Sequence, residues 1–94
     1  MYARVATFEH GDDVDQAIEQ VGQDVQGDPP PGLEGAKGML MLVDRASKKS
    51  MGIILFDSEE EMRRGDEALN AMSPTDGGKR LGVEFYEVPV SRMQ

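Results

Sequence analysis

The chain has no cysteine, which removes disulfides, thiolate metal sites and cysteine nucleophiles together and leaves the redox compartment open. Its single histidine is His10, and a dedicated transition-metal site needs several convergent ligands, so no metal is expected. No apolar run approaches the roughly 18 residues that cross a bilayer, so no membrane span is expected. Cations are also short: 10 lysines and arginines stand against 18 acids, for a net charge of −8. Such a surface repels a polyanion unless its cations cluster. The basic pairs Lys48-Lys49, Arg63-Arg64 and Lys79-Arg80 have no aromatics between them, and acids ring the middle pair. They read as solvated surface, and nucleic acid is not an expected partner. The opening residues lack the basic start and apolar core of a secretory signal, which predicts a cytoplasmic location.

What is present suits one small folded unit. With 94 residues, 38% hydrophobic and 30% charged, the chain reads as a single domain over 1–94 that buries roughly two thirds of the surface its unfolded form exposes. Tyr2 to about His10 is rich in β-branched and aromatic residues without helical period, a strand stopped by Gly11. Asp13 and Gln16 have capping-box spacing, and Val14, Ala17, Ile18, Val21 and Val25 share one arc of a helical wheel, predicting a helix from Val14 to Gln26. Residues 27–32, with three consecutive prolines, cannot continue it and form a stiff connector.

After Gly38, Met39 to Val43 and Ile53 to Phe56 are apolar runs separated by a polar turn, two strands of a hairpin. Ser58 and Glu61 form a capping box directly after the third strand, with acids at the positive end of the helix dipole. The helix they start carries an apolar stripe of Met62, Gly65, Ala68, Leu69 and Met72, and Pro74 with Gly77-Gly78 ends it. Leu81 to Val88 is a last strand, stopped by Pro89. Gly77-Gly78-Lys79-Arg80 precedes a strand, lacks the order of a phosphate loop and reads as an ordinary turn.

The order β-α-β-β-α-β is that of an α+β, ferredoxin-like fold, with a four-stranded antiparallel sheet and both helices on one face. Alternation then makes both faces apolar. Leu40 and Leu42 oppose Met39 and Met41, and Ile53 and Leu55 oppose Ile54 and Phe56. In the first strand, Ala3, Val5 and Thr7 form a compact row suited to packing under helices, and Tyr2, Arg4, Ala6 and Phe8 form the other. Two helices cover one face only. The exposed apolar patch left over exceeds what monomers carry, and a second copy is the economical cover, so a homodimer is expected.

The segments Tyr-Ala-Arg-Val-Ala-Thr-Phe (2–8), Pro-Gly-Leu-Glu-Gly (31–35), Leu-Val-Asp-Arg (42–45) and Phe-Asp-Ser-Glu-Glu-Glu-Met (56–62) resemble the antibiotic-biosynthesis-monooxygenase-like family over nearly the whole chain. The resemblance implies a dimeric α/β barrel with a cavity between sheet and helices. It also implies, for an enzyme, cofactor-independent oxidation of a small aromatic or enolisable compound. The heme-degrading members use an Asn, a Trp and a His at positions that fall near Arg4, Gly65 and Thr75; none matches. The aromatic-oxidising members rely on Trp, and this chain has none. No cofactor is therefore expected. A non-catalytic ligand-binding or stress-associated dimer is the alternative.

Arg4 draws most attention, because a charge within an inward row needs an anionic partner. A ligand carboxylate or enolate is one, since a guanidinium offers two parallel donors. An ion pair with Glu84 or Glu87 is the other, and structural pairs readily mimic sites. With Tyr86 as a hydrogen-bond partner, Arg4 is the expected catalytic residue. Tyr2, Phe8, Phe56, Met62, Gly65 and Leu69 are the expected lining of a small apolar or aromatic ligand between the sheet and the second helix. Gly65 costs roughly 1 kcal/mol against alanine inside a helix, so something approaches closely there, ligand or sheet. Met39, Met41, Met51, Met62 and Met72 read as core filling or as an adaptable ligand lining. His10 is expected at the surface of its loop.

Overall fold

The computed structural model describes residues 1–11, 14–24, 26–27, 32–71 and 79–92. Among them, β1 (Tyr2–Glu9), α1 (Val14–Asp24), β2 (Ala36–Asp44), β3 (Lys49–Phe56), α2 (Glu59–Asn70) and β4 (Lys79–Glu87) follow in the expected order. The strands form one antiparallel sheet, β2-β3-β1-β4. Each helix joins parallel strands across one intervening strand. Right-handed crossovers then place both helices on the same face, and the fold is ferredoxin-like.

The hairpin strands are longer than the apolar runs alone predict. β2 begins at Ala36 and β3 at Lys49, because ladder pairing carries the polar ends Asp44 and Lys49 as partners. Between them, Asp44 Oδ1 accepts from the backbone N–H of Ala46 and of Ser47 at 3.1 and 3.4 Å, and Lys48 closes the turn with φ 58°. Likewise Lys79 and Arg80, read as turn, pair with Glu9 and Phe8 as the start of β4. α2 starts as its sequence dictates: Ser58 Oγ accepts from the N–H of Glu61 at 3.2 Å. Asp13, Val25, the prolines at 29–31, Met72, Pro74, Thr75, Gly77 and Gly78 lie outside the described residues.

The two faces of β1 are reversed from expectation. Tyr2 pairs with Phe56 and Arg4 with Ile54, and Ile54 and Phe56 form the buried core with Leu33 and Met62. The helices therefore cover the row of Tyr2, Arg4, Ala6 and Phe8, while Ala3, Val5 and Thr7 lie on the other face. Small side chains suit helix packing, but the larger core residues of β3 decide the matter through the register. Gly65 has a matching explanation. A Cβ there would sit 2.7 Å from Phe56 Cζ and 3.0 Å from Leu33 Cδ2, so the glycine admits the fully buried Phe56 ring from the sheet.

The far face keeps Ala3, Val5 and Leu55 buried and exposes Leu40, Leu42, Met51 and Tyr86. Of the methionines expected to fill the core, Met62 does so, whereas Met39 and Met51 are exposed.

Candidate functional site

A helix pair about 10 Å apart cannot cover four strands spaced nearly 5 Å from one another, so part of the sheet stays open. Here the open strip is β4, an edge strand. α2 packs over β3 and β1, burying Phe56 and Met62, and stops short of β4. Phe85, directly opposite Arg4 in the ladder, consequently keeps 48% of its surface exposed on the helix-bearing face.

Between α2 and β4 runs a groove of two adjoining hollows, each about 370 Å³. That size lies within the range of small-ligand pockets. One wall is a line of α2 residues four apart, Met62, Asp66 and Asn70, which helical geometry stacks on one face. Phe85 and Asp66 are common to both hollows. Toward the end of α2 the groove adds Arg80, Leu81, Gly82 and Val83; toward its start it adds Tyr2, Glu59, Arg63, Glu67, Tyr86 and Glu87.

Arg4 does not line either hollow but reaches the groove through Asp66: its side chain is 5% exposed, and its Nε donates to Asp66 Oδ1 at 2.8 Å. The sequence left two partners open, a ligand anion or a carboxylate of the last strand. Glu84 is ruled out by geometry, because it pairs with Val5 and faces the other side, and the helix carboxylate takes its place. Asp66 is held twice, since Asn70 Nδ2 donates to its Oδ2 at 3.2 Å. Asn70 Oδ1 in turn accepts from Arg80 Nη1 at 2.7 Å. A continuous chain thus links the buried Arg4 to Arg80 at the groove mouth. Sequence reading passed over Asp66 and Asn70 and took Arg80 as turn and solvated surface. The signal available for the two helix residues was their spacing with Met62, but nothing local tells which helix flank overlooks a bare edge strand.

The residues expected to line a ligand site divide. Tyr2 and Met62 border the groove. Phe56 and Gly65 meet each other inside the core, and Leu69 packs against it. Phe8 shares the helix-bearing face but lies at the far end of β1, its ring 6.4 Å from that of His10. The two expected catalytic residues are not brought together. Tyr86 borders the groove, but it pairs with Ala3 on the face away from the helices, and its hydroxyl donates to Glu84. That bond favours the neutral phenol, and the Glu84 charge acts in the same direction, so the Tyr86 pKa is raised above its ordinary 10.0.

His10 departs from the expected surface position. It is 6% exposed, with Nε2 hydrogen-bonded at 2.6 Å to Ser50 Oγ, itself 3% exposed. The pair is enclosed, away from the groove lining. Among the described residues no group of three metal-ligating side chains converges.

No family model matches the sequence, and no curated protein matches it. Solved structures do match by shape. A single-residue mutant of MhuD, crystallised with two manganese protoporphyrin IX bound per active site, superposes with a TM-score of 0.70 at 9% identity, covering 100% of both chains. An inferred antibiotic biosynthesis monooxygenase from Deinococcus radiodurans gives 0.58 at 13% identity, over 100% of this chain and 98% of that one. At such identities the likeness is one of fold. The one histidine, a common haem ligand type, is enclosed against Ser50 and is not part of the groove lining.

Proposed function

We propose that this ferredoxin-like chain works as a homodimeric α/β barrel, built face to face through its bare sheet surface, and holds a small, flat aromatic ligand in the groove between α2 and β4. The observation that carries the reading is Phe85. A half-exposed ring on the floor of a helix-walled groove, flanked by Tyr2 and Met62, offers stacking and apolar area that no described residue occupies. Isothermal titration with naphthols and related phenols tests it. Binding of a member of that panel, weakened about tenfold by Phe85→Ala as a lost stacking contact requires, is the expected result. Absence of binding across the panel refutes it.

A second reading, cofactor-independent monooxygenation, is favoured by the monooxygenase-type protein of the same fold and by the carboxylate in the groove. An activated hydroxyaromatic would lose its proton to Asp66 and pass an electron to dioxygen. The radical pair would join as a hydroperoxide, which would lose water to give a quinone, so that one oxygen atom enters the product and the other leaves as water. Arg4 would serve by fixing Asp66. Oxygen uptake stoichiometric with quinone formation, abolished by Asp66→Asn, tests this reading. Ligand binding with no uptake leaves the protein as a binding module in the same cytoplasmic setting expected from sequence.

A further inference from the structure

Four of the arginines that precede the C-terminal tail are matched to carboxylates: Arg4 to Asp66, Arg45 to Asp15, Arg63 to Glu59 and Arg64 to Glu60. Arg80 is the exception. In a chain with 18 acids and 10 bases, its guanidinium rests on an amide, Asn70 Oδ1, at 2.7 Å, and forms no ion pair with a described carboxylate. Among the described residues its partner is neutral and adds no countercharge. Toward the described residues the guanidinium, a fork of five donors, bonds through Nη1 alone.

The arrangement is anchored. Arg4, almost wholly buried, fixes Asp66; Asp66 accepts from the amide of Asn70, which thereby turns its oxygen toward Arg80. Reversing the Asn70 amide breaks both of its contacts. Arg80 and Phe85 line the same hollow, so a cationic fork and an open aromatic ring face one space. The opposite end of the groove carries Glu59, Glu67 and Glu87 against Arg63. Glu59 is taken by Arg63, and Glu67 and Glu87 form no ion pair with a described cation. The described lining is therefore polarised along its length, positive toward Asn70 and negative toward Glu87.

We propose that Arg80 is the specificity-determining residue of the groove and selects an aromatic acid, with the ring against Phe85 and the carboxylate on the guanidinium fork. Asn70 is its positioning residue. The orientation follows from the polarity, since a ligand carboxylate placed at the other end would meet Glu67 and Glu87. Arginine recognises a carboxylate through paired, charge-assisted hydrogen bonds, and a charge-assisted bond contributes enough to change affinity about tenfold or more.

This inference rests on the groove reading above, and the experiment separates the two. Titration calorimetry compares naphthoate, naphthol and naphthylmethylammonium, which share a ring system and differ in charge. Naphthoate is expected to bind about tenfold or more tightly than naphthol, with the ammonium weakest. Arg80→Ala is expected to bring naphthoate down to the level of naphthol while leaving naphthol unchanged. Asn70→Asp, which keeps Arg80 but sets a competing carboxylate beside it, is expected to abolish the preference too, whereas Phe85→Ala weakens all ligands alike. Equal binding of naphthoate and naphthol by the intact protein, a preference for the ammonium, or a naphthoate preference that survives Arg80→Ala overturns the role of Arg80 while the groove reading stands. Failure of every naphthalene to bind overturns both.

Discussion

Arg4 shows how a single charge can be costly or harmless according to what faces it. Alone in the interior it would be prohibitive; with Asp66 at 2.8 Å it is a buried pair whose members differ in exposure, 5% against 22% of the side chain. That difference predicts an asymmetry. Asp66→Ala strands the more deeply buried cation and should destabilise the protein by roughly 3 kcal/mol. Arg4→Met, which leaves a carboxylate able to reach water and still bonded to Asn70, should cost less. The double variant Arg4→Met with Asp66→Leu should recover most of the loss, because a well-packed apolar pair often equals a buried ionic one. Urea unfolding of the unchanged protein and the three variants measures these differences.

Tyr86 makes a separate case at the same scale. Its raised pKa arises first from the hydrogen bond to Glu84 and also from the Glu84 charge, so the phenol stays protonated to higher pH than a free tyrosine. Glu84→Gln should move its ultraviolet titration back toward the ordinary value, a shift readable without reference to stability because the group lies at the surface. In the proposed dimer Tyr86 belongs to the face between subunits, where a neutral hydroxyl is easier to enclose than a phenolate.

Among the elements, α2 matters most for the groove, being at once core lid and groove wall. Its start is fixed locally by Ser58. Its distance from the sheet is fixed by Gly65, where Phe56 and Leu33 occupy the space a methyl group would need. Alanine there gains about 1 kcal/mol of helix propensity, but it meets a fully buried ring with nowhere to move. Overpacking of this kind costs about 1–3 kcal/mol, so Gly65→Ala should lower the melting temperature. It should also lift α2 away from β1 and stretch the Arg4–Asp66 contact, which would appear as altered ligand affinity in the surviving folded protein.

For the whole molecule, the governing fact is that a four-stranded sheet with two helices on one face has another that the helices do not cover. Leu40, Leu42 and Met51 lie on that face, each more than a third exposed, beside Ile53 and Val5 in the register. If the proposed dimer forms there, Leu40→Glu with Leu42→Glu places four like charges in the interface. Association should then weaken by about a hundredfold or more, as loss of central contacts does. Sedimentation velocity at micromolar concentration checks this. Because the groove opens on the other face, naphthoate binding should persist in the resulting monomer.

The order of elements, the α2 cap and the apolarity of both sheet faces were legible in the sequence, since each depends on residues near one another in the chain: alternation, helical period, a serine three residues before a glutamate. Strand ends were less so, because Asp44, Lys49 and Lys79 become strand only through partners on other segments. What local pattern left undecided was which row of β1 faces the helices. The compact row of Ala3, Val5 and Thr7 looked suited to them, yet the pairing of Tyr2 with Phe56 turns the opposite row inward. That one register placed Arg4 under α2 and Tyr86 on the far side, separating the expected catalytic pair. It also brought in Asp66, Asn70 and Arg80, whose contact spans 62 residues from Arg4 to Asp66. Period and capping act within a few residues and can be read from a string; the meeting of a strand charge with a helix carboxylate is set by how the sheet pairs and where the helix comes to rest, which only the folded chain decides.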